Sequence, residues 1–407
     1  MSSRYKRLSD AIFSIHVIDT HEHTYPWEII SGRNPTIYDI FDGAYVFWVA
    51  KPPKNKGDYK SLVESVREVS AGTFYKACSI ALKDIYGISI DPPTEKAFIE
   101  ASRLIRESYK DRNWIKKVLR EKSLIDKVLW DPYWDIWMEN FDRELFVPVL
   151  RINSLLFGYG RNAKDHNGNN PYIFEKYLNI RVETFKDYLN LVDKVLEESK
   201  RRGYIALKSA LAYDRPILFE EVEESEAKEI FEKRGVDLSP KDIKVFQDYI
   251  FHHILGRASE LDFSIQFHTG LAIIEGSNPI NLVNIIRKYS NVNFILFHGG
   301  YPWIRETAAI ALSFKNVYID FCWLPIISPS ACKLLMHEVI ELGLSSKVMW
   351  GGDCWVAEAT YGALTMFKKL ISEVLWGMID KKYLRYDEAL DIASKILNEN
   401  AAQIFKI

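Results

Sequence analysis

Short, continuous apolar runs alternate along the chain with longer segments whose apolar residues recur at helical spacing, and a turn separates each from the next. That rhythm predicts repeated strand and helix units around a parallel sheet. Eight runs read as strands: "VIDTHEH" (17–23), "LIDKVLWD" (124–131), "FVPVLRIN" (146–153), "YIALKSA" (204–210), "DFSIQFHTG" (262–270), "NFILFHGG" (293–300), "NVYIDFCW" (316–323) and "KVMWGGD" (347–353). Several are unbroken rather than alternating, as strands covered on both faces are. Between them, "RVETFKDYLNLVDKVLEESKRRG" (181–203) places Phe185, Leu189, Val192 and Leu196 on one stripe and Gly203 where a C-terminal cap belongs. The segment "SPKDIKVFQDYIFHHILGRASEL" (239–261) opens with Ser239 as N-cap, Pro240 at the first helical position and Asp242 at the capping-box position.

Strand–helix units repeated eight times predict an α/β chain folded as a (β/α)8 TIM barrel, which needs about 250 residues. The chain has 407, and residues 37–122, between the first and second strands, read as several helices where one crossover suffices. We therefore expect one domain over 1–407, a barrel with a helical insertion after its first strand. The run "EEVEESEAKEIFEKRG" (220–235) reads as a solvated helix face with i,i+4 pairs.

Charge and composition narrow the partners. The 53 Lys and Arg against 55 Asp and Glu leave a net charge of −2 without a basic stripe, which argues against a nucleic-acid partner. No apolar run reaches the length of a membrane span, and the N-terminal stretch lacks a signal-peptide pattern. The four cysteines form no C-x-x-C pair. A soluble, cytoplasmic protein acting on a small molecule is expected, and the composition is compatible with a homo-oligomer.

The chemistry lies at the strand ends. His21 and His23 flank Glu22, and residues i and i+2 of a strand share a face, so both imidazoles can converge on one metal ion. Arg151 follows in the third strand, Lys208 in the fourth, His268 ends the fifth, His298 the sixth and Asp353 the eighth. In a barrel of this kind the active site lies at the C-terminal strand ends, which would bring these residues to one mouth. Each also has a plainer reading: a core histidine for His268, a turn residue for His298, a helix cap for Asp353. His16, His166, His252, His253 and His337 read as structural or surface residues. Imidazole and carboxylate donors suit zinc and other first-row divalent metals, with a position left open for water. Asp353 is the candidate general base, and His298 a second acid or a group polarising the substrate.

In order, H-x-H, Lys, His, His, Asp resembles the amidohydrolase superfamily of metal-dependent (β/α)8 barrels. More narrowly, "IDTHEH", "QFHTG", "FHGGYPW" and "WGGD" are similar to the amidohydrolase-2 branch, which includes uronate isomerases and aminocarboxymuconate semialdehyde decarboxylases. The resemblance implies that His21, His23, His268 and Asp353 bind zinc, one ion, or two where Lys208 is carbamylated, with Asp353 doubling as base and His298 as acid/base or ligand. It further implies that Lys208, in this branch, holds a substrate carboxylate, a role Arg151 can share as a bidentate clamp. Tyr301, Trp303, Trp323 and Trp355 are candidates to pack a planar or sugar-like substrate. The leading expectation is a zinc-dependent hydrolase of an amide, ester or lactone bond in a small carboxylate-bearing substrate. Its alternatives are an isomerase or decarboxylase on the same barrel, and a metal-stabilised barrel without catalysis.

Overall fold

A computed structural model describes residues 3–407. Eight strands form one sheet in sequence order: β1 (Val17–Glu22), β2 (Ile125–Trp130), β3 (Phe146–Arg151), β4 (Ala206–Ser209), β5 (Ser264–Phe267), β6 (Phe294–Leu296), β7 (Val317–Asp320) and β8 (Val348–Met349). The pairs β1–β2, β3–β4, β4–β5, β5–β6 and β6–β7 are parallel, with helical segments between the two strands of each pair, while β2 leads to β3 through turns. The fold is a (β/α)8 barrel. Strands β4, β5 and β6 are buried along their whole length; β6 is apolar throughout, whereas β4 and β5 also bury the polar residues Lys208, Ser209, Ser264 and Gln266.

The chain divides into two compact units. The first comprises residues 3–130, 140–146 and 321–407, and so holds β1, β2 and β8; the second comprises 131–139 and 147–320, and holds β4 to β7. Between β1 and β2 the first unit carries the helices Trp27–Gly32, Ile37–Gly43, Tyr59–Arg67, Thr73–Tyr86 and Glu95–Ser108, where the sequence led us to expect an insertion. Ser239 caps the helix Pro240–Glu260 in a capping box with Asp242, as its spacing predicts. The helix Phe185–Arg201 buries Phe185, Tyr188, Leu191, Val192, Val195 and Leu196, a face centred slightly away from Leu189.

The strands are shorter than their apolar runs because several of those runs end in residues that cannot stay extended. After β6, His298 has φ 61° and Gly299 φ 53°, and Asp353, beyond β8, has φ 56°. A residue with positive φ leaves the sheet ladder, so the histidine and the aspartate stand beyond the strands that carry them.

Candidate active site

In the first unit, residues 350–355 continue alongside β1 after β8 has ended. Thr20 N–H donates to the Trp350 carbonyl (3.1 Å), Asp353 N–H to His21 O (2.8 Å), His23 N–H to Cys354 O (2.9 Å) and Tyr25 N–H to Trp355 O (3.0 Å). This backbone ladder brings the Asp353 side chain to the two histidines. Its Oδ1 lies 3.8 Å from His21 Nε2 and 3.3 Å from His23 Nε2, and all three residues are buried. Two imidazole nitrogens and a carboxylate oxygen converging in a buried place form a donor set that suits zinc.

Glu22, between the two histidines, underpins this arrangement. Its Oε2 accepts from Cys354 N–H (2.7 Å), while Asp19 Oδ1 accepts from His21 N–H and Gly352 N–H (3.1 Å each). Burial, then the neighbouring Asp19 charge and a hydrogen bond to Asp19, hold the Glu22 carboxyl well above the usual carboxylate range. The glycines of "WGGD" follow from these carboxylates: a Cβ on Gly352 would collide with Glu22 Oε1, and one on Gly351 would lie 2.7 Å from His21 N. From the helical insertion, Tyr45 O–H donates to the Asp353 carbonyl (2.6 Å) and Trp355 Nε1–H to Tyr45 Oη (3.2 Å). Tyr45 carried no signal in the sequence, since its partner lies 308 positions away.

In the second unit, Arg151, Lys208 and Gln266 stand in register at the ends of β3, β4 and β5. The Arg151 guanidinium gives both Nε–H (2.9 Å) and Nη2–H (2.6 Å) to Asp131 Oδ2 and lies over the Tyr133 ring at 4.2 Å. It is thus engaged by a buried carboxylate. Lys208 is 2 % exposed, with its Nζ 3.4 Å from the centroid of the Phe297 ring.

His268 Nε2 is 2.7 Å from the Leu271 carbonyl, which can only accept, so Nε2 carries the proton. Its Nδ1 presents a lone pair to His298 Nε2, 3.0 Å away. Two imidazole nitrogens this close either share a proton or share a cation. The Tyr213 ring packs on His268, the two centroids 4.4 Å apart. Gly270, at φ 86°, has no room for a Cβ beside the Tyr301 carbonyl. Tyr301 and Trp303 are half-buried; Trp303 caps the helix Ile304–Ser313, and its carbonyl accepts from Thr307 Oγ1 (2.9 Å).

The remaining histidines mostly sit in ordinary pairs: His16 with Asp126 and His253 with Asp193, each at 2.8 Å, and His252 with Tyr289 at 3.0 Å. His337 is half-buried rather than exposed. His166 is more firmly placed than a polar loop suggests, with its backbone N–H and Nδ1 both on the Asp214 carboxylate (2.7 and 2.8 Å). Among the described residues, no helix is long and apolar enough to cross a membrane.

Comparison with known proteins adds a family match and a fold. Residues 228–407 match the family model described as amidohydrolase. Protein fluG of Emericella nidulans is 28% identical over 149 residues, a stretch covering 35% of this chain and 17% of that protein. The chain therefore corresponds to well under two thirds of that relative's length. Among solved structures, uronate isomerase from Thermotoga maritima superposes with a TM-score of 0.78 at 16% identity, covering 100% of this chain and 98% of that one. Uronate isomerase from Bacillus halodurans gives 0.71 at 15% identity, covering 100% and 97%. A metal-dependent hydrolase from Lactobacillus casei gives 0.70 at 15% identity, covering 98% and 97%. At such identities these structures show the shared fold alone.

Proposed function

From the premise that residues 228–407 belong to the amidohydrolase family, we propose that the protein is a metal-dependent hydrolase that cleaves an amide, ester or lactone bond in a small carboxylate-bearing substrate. The observation that carries this reading is the convergence of His21, His23 and Asp353, with Asp353 Oδ1 at 3.8 and 3.3 Å from the two Nε2 atoms. Of the four ligands the resemblance implies, we assign His21, His23 and Asp353 to zinc and leave His268 to its contact with His298. Bound there, the ion would supply Lewis-acid chemistry and would lower the pKa of water toward neutrality.

The chain's own residues divide the remaining work. Asp353 accepts the proton released as the nucleophile forms and returns it to the leaving group, its position fixed by the backbone ladder to β1. His298 serves as the second acid/base, its Nε2 already in contact with another imidazole nitrogen. Lys208, held in the second unit at the end of β4, offers the charge that would recognise a substrate carboxylate. Arg151 already gives its Nε–H and an Nη2–H to the buried Asp131 carboxylate, so we assign Arg151 to holding Asp131 in place. For Tyr301, Trp303 and Trp355 we retain the substrate-facing role, with Trp355 supported by its tilted packing on His23 at 4.8 Å.

A second reading is isomerisation without net hydrolysis. It draws on the superposition with two uronate isomerases over the whole chain. Metal content by plasma mass spectrometry, on wild type and Lys208→Ala, tests the metal assignment. About one equivalent, unchanged in the variant, is expected; about two, falling with Lys208, would mean a carbamate-bridged pair, and none after zinc is added would overturn the proposal. Turnover of a uronate with no cleavage across amide, ester and lactone panels would replace hydrolysis by isomerisation.

A further inference from the structure

Five aromatic rings gather beside Asp353 and His23 in the first unit, and three of them, Tyr45, Trp48 and Phe74, come from the helical stretch between β1 and β2. The Tyr45 ring lies 4.8 Å from Trp323 and 5.6 Å from Trp48, Trp48 meets Trp323 edge-on at 4.9 Å, and Phe74 lies 6.3 Å from Trp323. At the other end Trp355 packs on His23 at 4.8 Å and reaches Tyr45 through its indole N–H. The cluster is thus continuous with the proposed ligands. It is also incompletely covered: Trp48 is 56% exposed and its neighbour Val49 57%. Large apolar side chains exposed together next to a polar centre mark a binding surface.

Two polar handles of the wall, the Tyr45 hydroxyl and the Trp355 indole N–H, are engaged beside Asp353. Tyr45 O–H is given to the Asp353 carbonyl and Trp355 N–H to Tyr45, so the rings present faces and edges suited to stacking. A hydroxyl-rich ligand needs donors and acceptors along its flank, whereas a flat apolar group needs ring faces. The backbone is held in a demanding conformation at the joints of this wall. Tyr45 (φ 63°), Trp323 (φ 62°) and Asp353 (φ 56°) all lie in the left-handed region without being glycine. Such residues concentrate where surroundings fix a functional geometry.

We propose that this wall is the specificity subsite of the enzyme, and that it selects substrates bearing an aromatic or comparably flat, apolar ring next to the scissile bond, with Trp48 as the open stacking face. The inference rests on the metal-dependent reading above and names its substrate class. Trp48, Trp323 and Tyr45 act here as specificity-determining residues, not as groups that move protons.

The test compares two ligands with the same metal-seeking head, acetohydroxamate and benzohydroxamate, by isothermal titration calorimetry on full-length, zinc-loaded protein. We expect benzohydroxamate to bind at least about tenfold tighter, the scale of burying one ring against aromatic neighbours. Trp48→Ala should cut that preference to about threefold or less, and Trp48→Phe should restore most of it. Equal affinities for the two hydroxamates, or a preference untouched by Trp48→Ala, would overturn the subsite while leaving the metal reading intact. Binding of neither would overturn the metal reading and this inference with it.

Discussion

His21 and His23 sit on and just beyond an extended strand bonded residue by residue to 350–355, whereas His268 and His298 sit where β5 and β6 have already given way to turns. In the first case the spacing of the side chains follows from the strand itself, and a layer of buried carboxylates, Glu22 and Asp19, holds the facing turn. In the second, the positions depend on a left-handed His298 and on Gly270, while the imidazoles hold each other. The difference suggests division of labour. A rigid pair of ligands suits a permanently held ion, and a pair joined by a hydrogen bond suits groups that pass protons or accept a second ion.

The largest effect that separates the two regions is chemical. Asp353→Asn keeps the shape of the first region and removes its base, so turnover should fall by about 10²- to 10⁴-fold while the melting temperature stays near wild type. His298→Asn should cost less, because its role is shared with other acids. Equal losses from both, measured as kcat/KM on any substrate found, would erase the distinction drawn here.

Glycine substitutions probe the scaffolds. Gly270→Ala meets the Tyr301 carbonyl at φ 86°, so it combines left-handed strain with a backbone collision. A loss of about 3 to 5 kcal/mol in denaturant unfolding is expected. Gly352→Ala meets the end of the Glu22 side chain instead, which can shift, and about 2 kcal/mol is expected. The reverse order would mean that the carboxylate layer is the stiffer scaffold.

Zinc should stabilise the protein by about 2.7 kcal/mol at a hundredfold excess over its dissociation constant. Amide hydrogen exchange would locate that gain. Protection rising at His23 and Asp353 but not at His268 to Leu271 is the outcome expected for a single ion in the first region. Protection rising equally in both would indicate a bridged pair.

These contrasts also explain what the sequence could tell. The strand count, the helices between β1 and β2 and the adjacency of His21 and His23 were legible because each is local: an apolar run, a helical period, an i,i+2 pair. The pairing of Arg151 with Asp131 was not legible, since the buried partner stands 20 residues earlier and nothing in either motif announces the pair. The buttress formed by Glu22 and Asp19, 332 and 333 positions from their partners, was invisible for the same reason. The exact strand ends were not legible either, because an αL histidine or aspartate looks like any other in a one-dimensional pattern.

Tyr45→Phe is the smallest change and isolates what the insertion contributes to the first region. The substitution keeps the ring and its packing on Trp323 but removes the hydroxyl that donates to the Asp353 carbonyl and accepts from Trp355. About 1 kcal/mol of stability should be lost, the net value of a typical hydrogen bond. If Tyr45 only braces the fold, zinc affinity will follow stability and nothing else will move. If it fixes the left-handed backbone at Asp353, zinc will bind more weakly than the stability loss explains, because the carboxylate is no longer aimed at His21 and His23. The second outcome is expected, since a residue held at φ 56° stays there only while its surroundings require it.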